Sequence, residues 1–233
     1  MNNYPVFYHP KMEEPFLSKE ESFHAIRVLR LTIGAPLFLI NGIGEKWEAK
    51  IGEITKNTVK IHLVSKKEIH QNKPKLHLII APTKQMDRME WMVEKCTEIG
   101  VASFQFIQTF HSERKDIKLE RLEKIAISAI KQSKQLYLPE LKSIERLEDY
   151  LNKKLNTDRI SLFGSLNPDK NKIYKDIDFL NKEIQFMVGP EGDFSENEIT
   201  KLLEKNWLPI SLGKTILRTE TAAIVAACQF SGI

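Results

Sequence analysis

Cysteine is scarce. The chain of 233 residues holds two, Cys96 and Cys228, far apart and outside any Cys-x-x-Cys pair, which excludes a disulfide framework and a zinc ribbon. Long apolar runs are missing as well. Leu76 to Pro82 and Ala222 to Cys228 are the longest, far short of the roughly 20 residues a helix needs to span a bilayer. The opening stretch MNNYPVFYHPKMEE has no basic segment leading into an apolar one, so no secretory signal is expected. Neither sign of charge dominates: 35 Lys plus Arg against 31 Asp plus Glu leave +4, too little to argue nucleic-acid binding by itself. Internal repeats and low-complexity tracts do not occur. The 42% hydrophobic and 28% charged residues are globular values and exclude wholesale disorder. The expectation is a cytoplasmic protein without a membrane partner, built as one large domain or two small ones.

Several chemistries are excluded by what the motifs lack. No His-Glu-x-x-His occurs and the six histidines are scattered, so no metal is expected. No Gly-x-Ser-x-Gly elbow is present, and Cys96 falls on the apolar face of a helical pattern, where packing suits it better than reaction. Gly213-Lys214-Thr215 fails as a phosphate loop because Leu208 stands where its first glycine belongs. Gly42-Ile43-Gly44 fails the dinucleotide fingerprint because Trp47 stands at the third glycine.

The rhythm of the chain changes near residue 72, which sets the expected domains at 1–72 and 73–233. From Val6 to Val64, short runs such as LFLING, KWEAKIGEI and TVKIHLV alternate or stay apolar, with Asn-Gly, Gly-Glu and Lys-Asn turn signals between them. One helix interrupts them. Ser18 with Glu21 forms a capping-box pattern, and Phe23, Ile26 and Leu29 recur at helical spacing. A small β-barrel-like domain carrying one helix is expected, followed by the polar linker Gln71 to Lys75.

Beyond it, strand and helix patterns alternate. LHLIIAP reads as a buried strand, and the next segment sets Met89, Met92, Val93 and Cys96 on one face before Gly100. FQFIQ is a strand candidate. Leu119 to Gln135 is helical by its Leu119, Leu122, Ala126, Ala129, Ile130, Ser133 stripe. RISLFG, EIQFMVG and WLPISLG are three strands that end in glycine, the last two followed by helices opening at Ser195 and at the TETAA segment. The pattern predicts an α/β domain with a parallel sheet covered on both faces.

Such sheets bind ligands at the carboxyl ends of their strands, which points to Gly164, to Gly189-Pro190-Glu191-Gly192 and to Leu212 through Arg218. Glycines there let a ligand reach backbone N–H and C=O groups, although an ordinary strand-to-helix turn explains the same residues. Thr219 or Thr221 is expected to cap the last helix and Glu220 to suit its positive end. Arg218 has no evident packing purpose; a surface salt bridge to Glu220 is the plain alternative.

Taken together, MVGPEGDFSENEI (Met187 to Ile199) and LGKTILRTETAA (Leu212 to Ala223) resemble the two signature segments of a SPOUT-class RNA methyltransferase. More closely, the chain resembles the bacterial 16S ribosomal RNA uridine-N3 methyltransferases, which act at uridine 1498. The same family's features recur in TKQMDRMEWMVEKCTEIGV, in His111-Ser112-Glu113-Arg114, in KQSKQ and in HAIRVLR, His24 to Arg30. Asp193 departs from the pattern by standing where the family usually has glycine.

This resemblance implies a carboxyl-terminal domain threaded into a trefoil knot, an exception to the avoidance of knots, joined to a PUA-like RNA-binding domain in a homodimer. It implies S-adenosylmethionine bound by Phe163, Gly164, Val188, Gly189, Pro190, Glu191, Gly192, Leu212, Gly213, Ile216, Leu217 and Arg218. It implies 16S ribosomal RNA of the small subunit as partner. The chemistry of such a transfer makes Arg218 the catalytic candidate for stabilising the anion that develops on the uracil, and Glu220 a lesser one, for accepting the proton or for orienting Arg218. Arg27, Arg30, Lys66, Lys67, Lys84, Arg88 and Arg114 are the RNA-binding candidates. Composition agrees locally: six lysines against one acid lie between Lys56 and Lys75, suited to phosphate contacts. Another SPOUT enzyme acting on rRNA or tRNA, or a catalytically silent RNA-binding relative, is the alternative expectation.

Overall fold

The computed structural model describes residues 4–67, 75–153, 159–166 and 182–231. The boundary expected near residue 72 and most of the expected linker lie outside these residues. The chain divides into two units, 1–73 with 127–138, and 74–126 with 139–233. Among the described residues no helix is long and apolar enough to cross a membrane.

In the first unit, β1 (Val6–Tyr8), β2 (Pro36–Ile40), β3 (Lys46–Ile54) and β4 (Val59–Lys67) form one sheet in that order. β1 runs parallel to β2, and the other neighbours are antiparallel. The turn from β2 to β3 is held by Asn41, whose Oδ1 accepts the amides of Ile43 at 3.0 Å and Glu45 at 3.1 Å. Alternation puts Leu37 and Leu39, Ala49 and Ile51, and Val59 and Ile61 on one face, where they bury with Phe7 and Leu17.

The helix of this unit departs from its sequence pattern. α1 (Lys19–Phe23) begins at Ser18, whose hydroxyl accepts the Glu21 amide at 3.2 Å. The Glu21 carboxylate does not complete the box; it takes the Lys131 ammonium at 2.7 Å. A π-helical turn, His24–Val28, follows directly. Its extra residue per turn breaks the three-residue register. Glu21, Ser22 and Ala25 are buried, whereas Phe23 and Leu29, expected inside, are exposed. Ser22 is fixed from both sides, accepting the Val59 amide at 3.1 Å and donating to the Leu17 carbonyl at 3.3 Å.

The second unit holds β5 (Leu76–Ile80), β6 (Ser103–Gln108), β7 (Glu140–Arg146), β8 (Arg159–Gly164), β9 (Glu183–Val188) and β10 (Leu208–Ile210). They pair in the order β10-β8-β9-β5-β6-β7, every neighbour parallel. Its helices are α2 (Met86–Ile99), α4 (Leu147–Asn152), α5 (Glu196–Glu204) and α6 (Thr219–Phe230); α3 (Leu119–Ser133) starts here and from Ile127 groups with the first unit. Successive residues of β9 show how both faces are covered. Phe186 stacks on Phe230 of α6 with ring centroids 5.4 Å apart, while Met187 joins Ile79 and Phe163 beneath Leu147, Leu151 and Leu202 of α4 and α5. Each such side chain contributes roughly 1.5–3 kcal/mol on burial. β7 and α4 were not expected. As a half-exposed edge strand, β7 lacks the apolar run that marks the central strands.

Candidate active site

The loops that leave the carboxyl ends of β8, β9 and β10 meet in one cleft. Gly164 comes from the first loop, Val188 to Glu191 from the second, and Leu212, Gly213 and Ile216 to Arg218 from the third. Two expected members stand elsewhere. Phe163 is core, its ring edge-on to Phe194 with centroids 6.1 Å apart, because alternation along β8 turns it under the sheet. Gly192 faces His111 instead: a Cβ there would come within 3.1 Å of the His111 side chain. The structure adds Ser165, Leu166, Asp193, Ser211, Thr215, Thr219 and Ala222 to the lining. Thr215 falls within the stretch from Leu212 to Arg218 that the sequence singles out, and Asp193 and Thr219 were noted there for other reasons. Ser165, Leu166, Ser211 and Ala222 went unmarked because none is a glycine or a charge, and adjacency to the glycine-bearing loops was the available signal.

Local packing explains the loop shapes. A Cβ on Gly189 would sit 3.1 Å from the Phe194 ring and 3.3 Å from Asp193 Oδ1, so only glycine leaves that ring in place. Asp193 adopts a left-handed φ of 59°, which costs an L-residue free energy that glycine avoids. Its own side chain offsets this, Oδ1 accepting the Phe194 amide at 2.8 Å, a local bond open to aspartate. In the third loop, Ser211 Oγ donates to the Gly213 carbonyl at 2.9 Å, and nothing lies within 4 Å of where a Gly213 Cβ would be. The cleft floor at that point is bare backbone.

Arg218 is the N-cap residue of α6, extended at φ −67° and ψ 154°. Its side chain is exposed and, among the described residues, has no ion-pair or hydrogen-bond partner. Two expectations change here. Thr219 does not cap the helix but donates its hydroxyl to the Gly189 carbonyl at 2.9 Å, joining the third loop to the second. Glu220 does not pair with Arg218: its carboxylate, 6% exposed as a residue, lies 3.6 Å from the Arg88 guanidinium of α2.

The RNA-binding candidates of this unit, unlike Arg218, are engaged. Arg114, an RNA-binding candidate, spends its guanidinium on backbone, donating to the carbonyls of Thr83 at 3.1 Å and Lys84 at 2.6 Å. Lys84 pairs with Glu113 at 3.0 Å, and that carboxylate holds the ammonium pKa above its ordinary value. His111 Nδ1 lies 2.9 Å from the Asp193 carbonyl. The His111–Arg114 segment therefore bridges the loop after β5 and the loop after β9. Burial pushes the Cys96 thiol up, which suits packing and not reaction. Among the described residues no group of three or more His, Cys, Asp or Glu is placed to hold a metal ion.

In the first unit, Lys66 pairs with Glu45 and Lys67 with Glu48 at 2.7 Å. These acids sit on or beside the neighbouring strand β3, so a lysine count along β4 alone could not reveal them. Arg27 and Arg30 are exposed, and Arg30 holds a left-handed φ of 52°.

Two family models match the chain: an RNA methyltransferase domain over residues 70–231 and an RNA methyltransferase PUA domain over residues 17–64. The ribosomal RNA small subunit methyltransferase E of Rickettsia conorii is 32% identical over 216 residues, 91% of this chain and 87% of that one. A probable rRNA-methyltransferase from Porphyromonas gingivalis superposes with a TM-score of 0.90 at 34% identity, covering 97% of this chain and 96% of that one. The ribosomal RNA small subunit methyltransferase E of Neisseria gonorrhoeae, solved bound to S-adenosyl methionine, gives 0.86 at 27% identity with the same coverage.

Proposed function

Since the chain belongs to the ribosomal RNA small subunit methyltransferase E family, we propose that it transfers the methyl group of S-adenosylmethionine to N3 of a uridine, position 1498, in 16S ribosomal RNA. The observation that carries this reading is the meeting of three strand-end loops around bare backbone, with Arg218 at the rim and without a side-chain partner among the described residues.

The residues present suit the cofactor. Val188, Leu212, Ile216 and Leu217 supply apolar walls, and Gly213 leaves backbone open to a polar tail. Bound there, S-adenosylmethionine supplies a sulfonium methyl for in-line displacement. The protein holds the uracil against it, and orientation provides much of the acceleration. As N3 loses its proton, negative charge develops on N3 and the flanking carbonyl oxygens, where Arg218 stabilises it. N3 then bonds to the methyl carbon as that carbon's bond to sulfur breaks, and the charge is consumed. Glu220, two residues further on, buried and steadied by Arg88, is the second candidate, as acceptor of the N3 proton or in orienting Arg218.

The finer architecture belongs to the same proposal. The chain leaves edge strand β10, lines the cleft, and returns over the middle of the sheet as α6, packed on β5 and β9; such a path suits a trefoil knot. In the first unit Phe16 bridges Lys60 of β4, a contact that suits a sheet closing towards a PUA-like barrel, with the domains divided at residue 72. Ile216, 80% exposed at the cleft mouth, suits a second copy covering it in a homodimer. Mass mapping of 16S rRNA nucleosides from a deletion strain, with and without the gene restored, tests the activity. Loss and recovery of a methyl on uridine N3 is expected, and an unmethylated N3 in the restored strain refutes the assignment.

A further inference from the structure

In the first unit, Phe23 ends α1 with 62% of its surface exposed, and Val28 and Ile33 follow at 58% and 66%. One exposed apolar residue is ordinary, but several within eleven positions make a patch that asks for a partner. The backbone is built to present it. The π-helical turn closes with the Leu29 amide bonded to the His24 carbonyl at 2.9 Å and the Leu31 amide to the Ala25 carbonyl at 2.9 Å. Arg30 is left in the left-handed region, a conformation that costs an arginine on the order of 1 kcal/mol. π-turns and such outliers gather at functional sites. Regular helix through these residues would need neither.

Phe23 and Ile26 form the apolar part of a hollow whose remaining lining is Lys19, Arg27, Lys56 and Asn57. No acidic side chain lines it. Among the described residues none of the three cations has an ion-pair partner, in contrast to Lys66 and Lys67 on the same unit. An aromatic face ringed by unpaired cations and an amide matches the needs of single-stranded RNA. The base stacks on the ring, the phosphates on either side meet the cations, and the amide reaches a base edge. A protein partner of matching chemistry would have to supply both an apolar anchor and several carboxylates.

We propose that Phe23 is a stacking platform for one unpaired nucleobase of the RNA substrate, with Lys19, Arg27 and Lys56 holding the phosphates that flank it. This rests on the reading of the chain as an RNA methyltransferase and adds the contact by which its first unit takes hold of a single strand.

The test uses the full chain and two fluorescein-labelled oligoribonucleotides of equal length, one of uridines and one in which every nucleotide is abasic, with binding read by anisotropy. Phe23→Ala should weaken binding of the uridine strand roughly 5- to 100-fold, the equivalent of one stacked base. Binding of the abasic strand should stay within about twofold. Phe23→Trp should restore the uridine affinity, and thermal melting should match wild type, since the ring is exposed. Arg27→Gln should weaken both strands and lower the salt slope by about one. Unchanged uridine affinity in Phe23→Ala overturns the stacking role alone, as does equal loss on both strands. So does a change confined to self-association in sedimentation velocity, which would make the patch a contact between copies. A wild-type chain that binds neither strand nor purified 16S rRNA overturns the RNA reading and this proposal with it.

Discussion

Arg88 of α2 and Glu220 of α6 meet 3.6 Å apart, with the carboxylate almost wholly buried and the guanidinium one-third exposed. The pair fixes the first turn of α6 against α2 and so determines where Arg218, two residues earlier, enters the cleft. Arg88→Ala should leave a buried charge without its partner. A fully buried pair would cost more, but the exposure of Arg88 brings the expected loss to about 1–2 kcal/mol. Urea denaturation reads this directly. Arg88→Lys should recover part of the stability. Equal stability of Arg88→Ala and wild type would mean that water already serves Glu220.

Gly213 separates fold from ligand. Its Cβ position is open, and its φ is not in the left-handed region, so Gly213→Val should melt within about 2 °C of wild type. The same branched side chain would fill the space in which a ligand meets bare backbone. Calorimetry should therefore show binding of S-adenosylmethionine abolished in a folded protein. Unchanged affinity would remove the third loop from the cofactor site.

What could be read from the chain alone follows from how local each cause is. The run Leu76 to Ile80 is buried on both faces by its own composition, and the glycine-ended strands fell in place because their loops carry their own conformational requirements. The cap at Ser195 was legible too: its hydroxyl and Glu198 lie three residues apart and close the full capping box. Causes distant in sequence were hidden. Glu220 finds Arg88 across 132 positions, and Arg114 finds Thr83 and Lys84 across 31 and 30, with α2 and β6 between them. Helical spacing through Phe23, Ile26 and Leu29 misled because a π-turn changes the period within the segment, and no residue there announces it.

His77 gives a pH dependence. Its Nδ1 lies 2.7 Å from Ser103 Oγ, with Arg159, Glu183 and Lys142 as its charged neighbours. Burial, helped by the positive charge of Arg159, lowers its pKa from the ordinary 6.5, and Glu183 opposes this only in part. The folded protein therefore refuses a proton that the unfolded chain accepts. The stability this group contributes is fully present above pH 6.5 and is lost as pH falls below that value towards the folded-state pKa. The slope from one such group is at most about 1.4 kcal/mol per pH unit. Urea midpoints between pH 7.5 and 5 should fall less steeply for His77→Gln than for wild type. Parallel curves would show that another group sets the dependence.

Arg218 bears the chemical weight of the proposed function. It stands extended at the start of α6, exposed and unpartnered among the described residues, on the loop that lines the cleft. Nothing in the fold depends on its side chain, so Arg218→Ala should leave stability unchanged. If it meets the anion that forms as uridine N3 gives up its proton, the methylation rate should fall about 10²–10³-fold, the usual cost of one preorganised electrostatic partner. Affinity for S-adenosylmethionine should change far less, because the interaction strengthens only as charge develops on the base. Arg218→Lys should recover little, since a single ammonium cannot reach two carbonyl oxygens as a planar guanidinium does. Single-turnover methylation at saturating cofactor is the measurement. A near-wild-type rate for Arg218→Ala would leave Glu220 and the orientation of the bound base to account for the catalysis.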